Sequence, residues 1–190
     1  MNELEAHDNF HAKMAQKFPR YVNDNTRFGG FAIGEGWYHI IEELLGQIDH
    51  YTKWQRNMRA NDLRKQRAKD KGMESLIRFM TGKKRGIPSE WDIERAEKAM
   101  ENDIIITPKV DWIYIEQIKE KFGGLRFYYQ GGDDHISGMV TMAEVWAGHS
   151  CERCGDKGHR RSGGWIRTLC DKHEAEYQER MKNYRSEDDE

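Results

Sequence analysis

The chain has 190 residues, 37% of them hydrophobic and 34% charged, with a net charge of −2. No apolar run reaches the roughly eighteen residues that a membrane span needs, and the first residues carry neither the basic region nor the apolar segment of a secretory signal. A chain this polar has a small core for its length, which fits one domain, or one domain plus a small metal-clipped module.

Leu4, Phe10, Met14 and Phe18 give residues 1 to 20 a mildly amphipathic pattern, a short helix ending near Pro19. Phe28-Gly29-Gly30-Phe31 and Gly34-Glu35-Gly36-Trp37 follow. Glycines this dense mean a backbone that bends sharply or approaches something closely. One reading is a loop leading into a helix; the other is the wall of a binding pocket with Glu35 and Trp37 pointing in. Trp37, Ile40, Ile41, Leu44, Leu45, Ile48 and Tyr51 then recur at helical spacing and mark the main core helix.

Beyond Trp54 the apolar face fades, but good helix formers continue to Gly72. Between Lys53 and Gly86 twelve basic residues face three acidic ones, a local charge of +9 that leaves −11 for the remainder. This basic segment reads as a long helix projecting into solvent, or as a mobile arm, and Arg64, Lys65 and Arg67 are candidates for phosphate contact. Leu76, Ile77, Phe79 and Met80 form an apolar patch, and Lys83, Lys84 and Arg85 sit in a basic loop bracketed by glycines. That loop lacks the strand-loop-helix context of a P-loop. Ser89 with Asp92 is a capping-box variant opening a helix from Glu90 to about Met100.

Asp103 to Pro108, with three consecutive isoleucines, reads as a short buried strand. Trp112 to Lys121 and Leu125 to Gln130 flank Phe122-Gly123-Gly124 and read as a β-hairpin, with a helix through Trp112, Ile115, Ile118 and Phe122 as the alternative. Lys119, Lys121, Arg126 and Tyr128 on this hairpin combine cations with an aromatic face, a combination suited to a phosphate plus a base. Asp133 or Asp134 can cap a helix that runs to Gly148.

All three cysteines lie in the stretch that follows. Cys151 and Cys154 form a C-x2-C pair, fifteen residues intervene, and Cys170 joins His173 as C-x2-H. Three thiolates and one imidazole make a tetrahedral Zn2+ set with no open position, hence a structural site. His149 and His159 are rival fourth ligands, and His173 has the better spacing. Gly155 and Gly158 permit the tight turn after the first pair. Gly163-Gly164 and the β-rich run to Leu169 read as a short hairpin, and a helix starts from Cys170. An odd cysteine count without a signal segment argues against disulfides and for the cytoplasm. The order of turn, hairpin and ligand-bearing helix resembles a treble-clef zinc finger.

Three stretches carry a wider resemblance. They are Gly34 to Trp37, Gln117 to Tyr129, and Ala143-Glu144 leading into Cys151-x2-Cys154 and on from Gly164-Trp165 to His173. Together they resemble a family of small, uncharacterised proteins of phages and bacterial genomes. The resemblance spans about residues 28 to 51 and 110 to 175, with the basic segment between as an insertion. It implies a phage or prophage setting and a zinc-bearing α+β fold, and brings no activity.

The sequence therefore predicts an α+β protein. An α+β helix-and-hairpin domain occupies residues 1–150 with a basic helical insertion at about 53–100, a treble-clef-like module occupies 151–185, and an acidic tail occupies 186–190. No nucleophile-and-base motif is present, so the leaning is away from an enzyme. The expected function is an accessory protein that binds nucleic acid or a nucleic-acid-associated host complex. The alternatives are a sponge for a nucleotide signal of bacterial defence, or an inhibitor acting by contact with a host protein. No membrane partner is expected.

Overall fold

The computed structural model describes residues 3–22, 29–82, 86–163 and 165–187. It is an α+β protein of two compact units, one formed by residues 1–50 with 111–190 and the other by residues 51–110. Among the described residues no helix is long and apolar enough to cross a membrane.

The first unit begins with helix α1 (Glu3–Lys17). Phe10 and Met14 on its apolar stripe, and Phe18 just past its end, are buried as the spacing predicts, and Ala6 joins them. Phe10 stacks on Tyr38 at 4.0 Å between ring centroids and meets Phe31 edge-on at 4.9 Å. Lys13 and Lys17 both reach Glu42, at 2.6 and 2.7 Å. Helix α2 (Tyr38–Asp70) follows a 3-10 turn at Glu35–Trp37. Ile40, Ile41, Leu44, Leu45 and Ile48 on its first half are buried.

Strand β1 (Phe31–Ala32) pairs in parallel with β2 (Tyr114–Lys121), which pairs antiparallel with β3 (Gly124–Gln130). The hairpin expected around Phe122 is thus present, and the helical alternative is not. Alternation along β3 puts Leu125 and Phe127 inside, and a register shift between Ile115 and Gln117 of β2 lets Ile115 and Ile118, three residues apart, both be buried. Helix α5 (Asp134–Ala147) is capped by Asp133, whose Oδ1 accepts from the Ile136 amide at 3.1 Å, and it adds Ile136, Val140, Ala143 and Ala147 to the core.

The segment that carries the three cysteines completes this unit. Strands β4 (His159–Arg161) and β5 (Arg167–Leu169) form a short hairpin, and helix α6 (Asp171–Glu187) follows. This segment falls in the same unit as α1 and the β2–β3 hairpin.

The second unit contains the end of α2, helix α3 (Met73–Thr81) and helix α4 (Glu90–Glu101). Fifteen basic residues against nine acidic give residues 51–110 a charge of +6, leaving −8 for the other unit. Ala68, Leu76, Ala96 and Ala99 form its buried centre, with Ile77, Phe79, Met80 and Met100 packed around them. The apolar patch at Leu76–Met80 is thus one face of α3. The capping box at α4 is complete, because Ser89 Oγ accepts from the Asp92 amide at 3.2 Å and the Ser89 amide donates to the Asp92 carboxylate at 3.1 Å.

The reading of residues 103–108 as a buried strand is corrected. The segment forms no strand, and Ile105 is 89% exposed. Side chains of α2 take up backbone groups that a neighbouring strand would otherwise satisfy. Arg59 donates to the Thr107 carbonyl at 2.7 Å and Lys69 to the Asn102 carbonyl at 2.7 Å. Asp62 accepts from the Thr107 amide at 3.0 Å and from its hydroxyl at 2.5 Å. These contacts also make residues 51–70 an ordered helix and not a mobile arm.

The side-chain and backbone hydrogen bonds from Thr107 hold the Asp62 carboxyl below its ordinary value of 3.8. A depressed folded-state pKa stabilises the fold above the unfolded-state pKa, and that contribution disappears as pH falls through the lower folded value. The protection factors of the α2 amides near Asp62, taken from hydrogen exchange relative to the intrinsic rate at each pH, should therefore fall below about pH 4. Asp62→Asn should flatten that acid-side dependence; an unchanged profile in the variant would show that the Asp62–Thr107 contact does not contribute.

Candidate metal centre

Cys151, Cys154, Cys170 and His173 come together, with their ligand atoms all within 4.8 Å of one another. His173 Nδ1 lies 3.3 Å from both Cys151 Sγ and Cys170 Sγ, and Cys154 Sγ lies 3.9 Å from Cys170 Sγ. A tetrahedral ion with Zn–S near 2.3 Å and Zn–N near 2.0 Å sets S···S at about 3.8 Å and S···N at about 3.5 Å. The spacings fit one ion. His173, in the first turn of α6, supplies the imidazole, and His149 and His159 lie outside the cluster.

The local fold dictates this convergence. The chain turns at Cys151–Cys154, where the Gly155 amide donates to the Cys151 carbonyl at 2.8 Å and Gly155 has φ of +81°. Cys170 sits between β5 and α6, so the hairpin returns it to the turn. The Glu152 amide donates to the Thr168 carbonyl at 2.9 Å, tying the turn to β5. Arg161 donates to the Leu169 carbonyl at 3.0 Å and to the Asp171 carboxylate at 2.6 Å, fastening β4 to the start of α6.

The electrostatics favour a cation. Burial of Cys151 opposes its ionisation, but the amides of Cys170, Arg153 and Cys154 aim at its sulfur and bring the thiol down to about 6. Cys154 is pushed up to about 12 by desolvation, with Cys151, Asp156 and Cys170 beside it adding to the effect. One thiolate is thus prepared, and a positive ion is what lets its neighbours lose their protons as well. Behind the imidazole, the Glu176 carboxylate stands 4.0 Å from His173 Nε2 and accepts from Arg153 at 3.0 Å.

The glycine-rich segment before α2 is the support of this centre. The Gly36 amide donates to the Glu152 carbonyl at 3.0 Å. A methyl group at Gly36 would overlap the Cys151 carbonyl oxygen and lie 2.5 Å from the Gly155 nitrogen and 2.7 Å from the Cys154 nitrogen. A methyl at Gly34 would overlap the Glu152 carbonyl oxygen. Trp37 is fully buried and its indole N–H donates to the Ser150 carbonyl at 2.8 Å. Where the pocket-wall reading had Trp37 pointing into a pocket, the side chain is packed in the core and anchors the chain next to Cys151. Glu35 stays exposed beside the centre, in a cleft it shares with Glu152, Arg153, Arg167 and Arg180. Burial lifts the Glu152 carboxyl to about 7, opposed by Arg167, and its Oε2 has no hydrogen-bond partner among the described residues.

The other predicted residues do not converge on the metal. Arg64 and Arg67 are exposed on α2, and Lys65 is half-buried there. Lys83, Lys84 and Arg85 lie outside the described residues. On the hairpin, Lys119 Nζ sits 5.3 Å from the centre of the Tyr128 ring and Lys121 Nζ 5.5 Å from that of Phe122. Arg126 donates to the Leu125 carbonyl at 2.7 Å and stands 4.0 Å from Glu144. The sequence reading missed the dependence of the turn on Gly34 and Gly36; the signal was their density directly before a tryptophan. No family model, no curated protein and no solved structure matches this chain.

Proposed function

We propose that this protein is a non-enzymatic, zinc-containing accessory protein that binds nucleic acid. Its metal is structural, in a treble-clef-like module, and the basic face of α2 makes the nucleic-acid contact. The phage or prophage setting implied by the resemblance belongs to the same proposal. A full set of three thiolates and one imidazole leaves zinc no position for water or substrate.

The observation that carries the binding reading is a stripe. Positions 53, 56, 60, 64, 67 and 71 recur every three or four residues and so share one face of α2 and the turn at its end. They are Lys53, Arg56, Ala60, Arg64, Arg67 and Lys71, with no acidic residue in the series. All but Ala60 are exposed. From Lys53 to Arg67 the helix rises about 21 Å, about the axial length of six base pairs. Lys65 points off this stripe, towards the side of Asp62, whose carboxyl it helps to keep ionised.

Affinity for a DNA or RNA duplex should fall steeply with salt. Charge reversal at Arg64, Arg67 and Lys71 together should weaken binding by about 100-fold or more and reduce the salt slope by roughly 3. Fluorescence anisotropy over a salt series measures both. Unchanged affinity and slope in the triple variant would refute the contact.

A further inference from the structure

The turn between β2 and β3 consists of Phe122 and Gly123 alone, because Lys121 pairs with Gly124. Both have positive φ, +53° and +74°, the pattern of a type I′ turn. Asn, Asp or Gly is the usual first residue of such a turn, since left-handed backbone is strained for a side chain as large as phenylalanine. Phe122 is the one non-glycine residue with positive φ among those described. Its ring gains little burial in return, being 62% exposed with the Lys121 ammonium 5.5 Å from its centre. Strain held with little packing reward marks functional positions.

A second exposed ring faces the same space. Trp165, 63% exposed, lines with Phe122 a cavity of about 440 Å3, together with Glu120, Lys121, Gly163 and Ile166; the Glu120 carboxylate accepts from the Gly123 amide at 2.6 Å. The tip is held firmly there. The Thr168 hydroxyl donates to the Gly123 carbonyl at 2.6 Å, and a methyl on Gly123 would lie 3.1 Å from Ile166 Cγ2 and the Arg167 carbonyl carbon. Trp165 also borders a groove of about 450 Å3 that carries Arg161, Arg167 and Lys182 with one acid, Glu174. Two solvent-facing aromatic rings around one cavity, with cations beside them, match a base-stacking platform with an adjoining phosphate path.

We propose that Phe122 and Trp165 stack an unpaired base of a single-stranded nucleic acid, whose backbone continues over Arg167 and Lys182. The inference rests on the nucleic-acid reading for its ligand class and adds strand type and contact residues.

The test uses the full-length, zinc-loaded protein with a labelled oligothymidylate, an oligouridylate and a duplex of equal length. Phe122→Gly and Trp165→Ala should each weaken single-strand binding about tenfold, leave duplex binding unchanged, and be largely rescued at position 165 by Trp165→Phe. Phe122→Gly should also raise the thermal midpoint by about 2–4 °C, because glycine accepts the left-handed backbone. A purely structural Phe122 would give the opposite shift and no binding change. Wild type that holds the duplex, with single-strand affinity untouched by either ring deletion, overturns this inference alone. Wild type that binds none of the three probes overturns this inference and the nucleic-acid reading together.

Discussion

Stripping the metal with a strong chelator should abolish cooperative unfolding of the unit that contains the cluster. Structural zinc sites of this donor type contribute an apparent 10–16 kcal/mol near neutral pH, strongly pH-dependent. Whole domains are stable by about 5–15 kcal/mol. The loss would therefore rival or exceed the stability of the unit, so partial softening is not the expected outcome. Cys170→Ser should have the same effect, because it removes a donor from the junction of β5 and α6 and leaves the turn and the helix without a common anchor. Near-ultraviolet circular dichroism and the dispersion of amide resonances report it directly, and re-addition of zinc should restore the chelated wild type. Lowering the pH should release the metal, since thiolates and imidazole must take up protons as it leaves. A chelated protein with an unchanged melting midpoint would show that the cluster is four polar residues in proximity and nothing more.

The second large effect is expected at Gly36. An added methyl would meet three backbone atoms of the Cys151–Gly155 turn, and backbone cannot swing aside as a side-chain tip can. Gly36→Ala should destabilise the unit by about 3 kcal/mol or more, lowering the thermal midpoint by about 6–12 °C. It should also weaken zinc affinity by about 10–100-fold through displacement of the ligand-bearing turn. Gly138→Ala is the matched control, since that position on α5 has open space around it and alanine favours a helix. It should be neutral or slightly stabilising. Equal behaviour of the two variants would mean that the glycine segment does not brace the metal turn.

Much of this architecture was legible because the decisive signals are local. Three cysteines and a histidine at fixed spacing, Ser89 with Asp92, Asp133 before α5 and the glycine pair after Phe122 each define a turn or an end through short-range chemistry. What stayed hidden depends on partners distant in sequence. Ile104, Ile105 and Ile106 have strand composition, but Arg59 and Asp62 of α2 take the backbone groups of the adjacent Thr107, and no strand among the described residues pairs with the segment. Gly34 and Gly36 signalled a bend or a close approach, but what they approach, the Cys151–Gly155 backbone, is distant in sequence. The glycine pair signalled a turn, but not that Phe122, one residue earlier, occupies its strained position. The basic stripe was visible as composition, and separating Arg64, Arg67 and Lys71 from Lys65 required the helix to be continuous through residue 70.

The central claim is that one zinc ion is held by the three thiolates and His173. Metal analysis of the purified protein combined with zinc X-ray absorption tests it most directly. The account predicts one zinc per chain, with three sulfurs at about 2.3 Å and one nitrogen at about 2.0 Å. A protein that is folded and carries no stoichiometric metal, or a zinc shell dominated by oxygen, would contradict it.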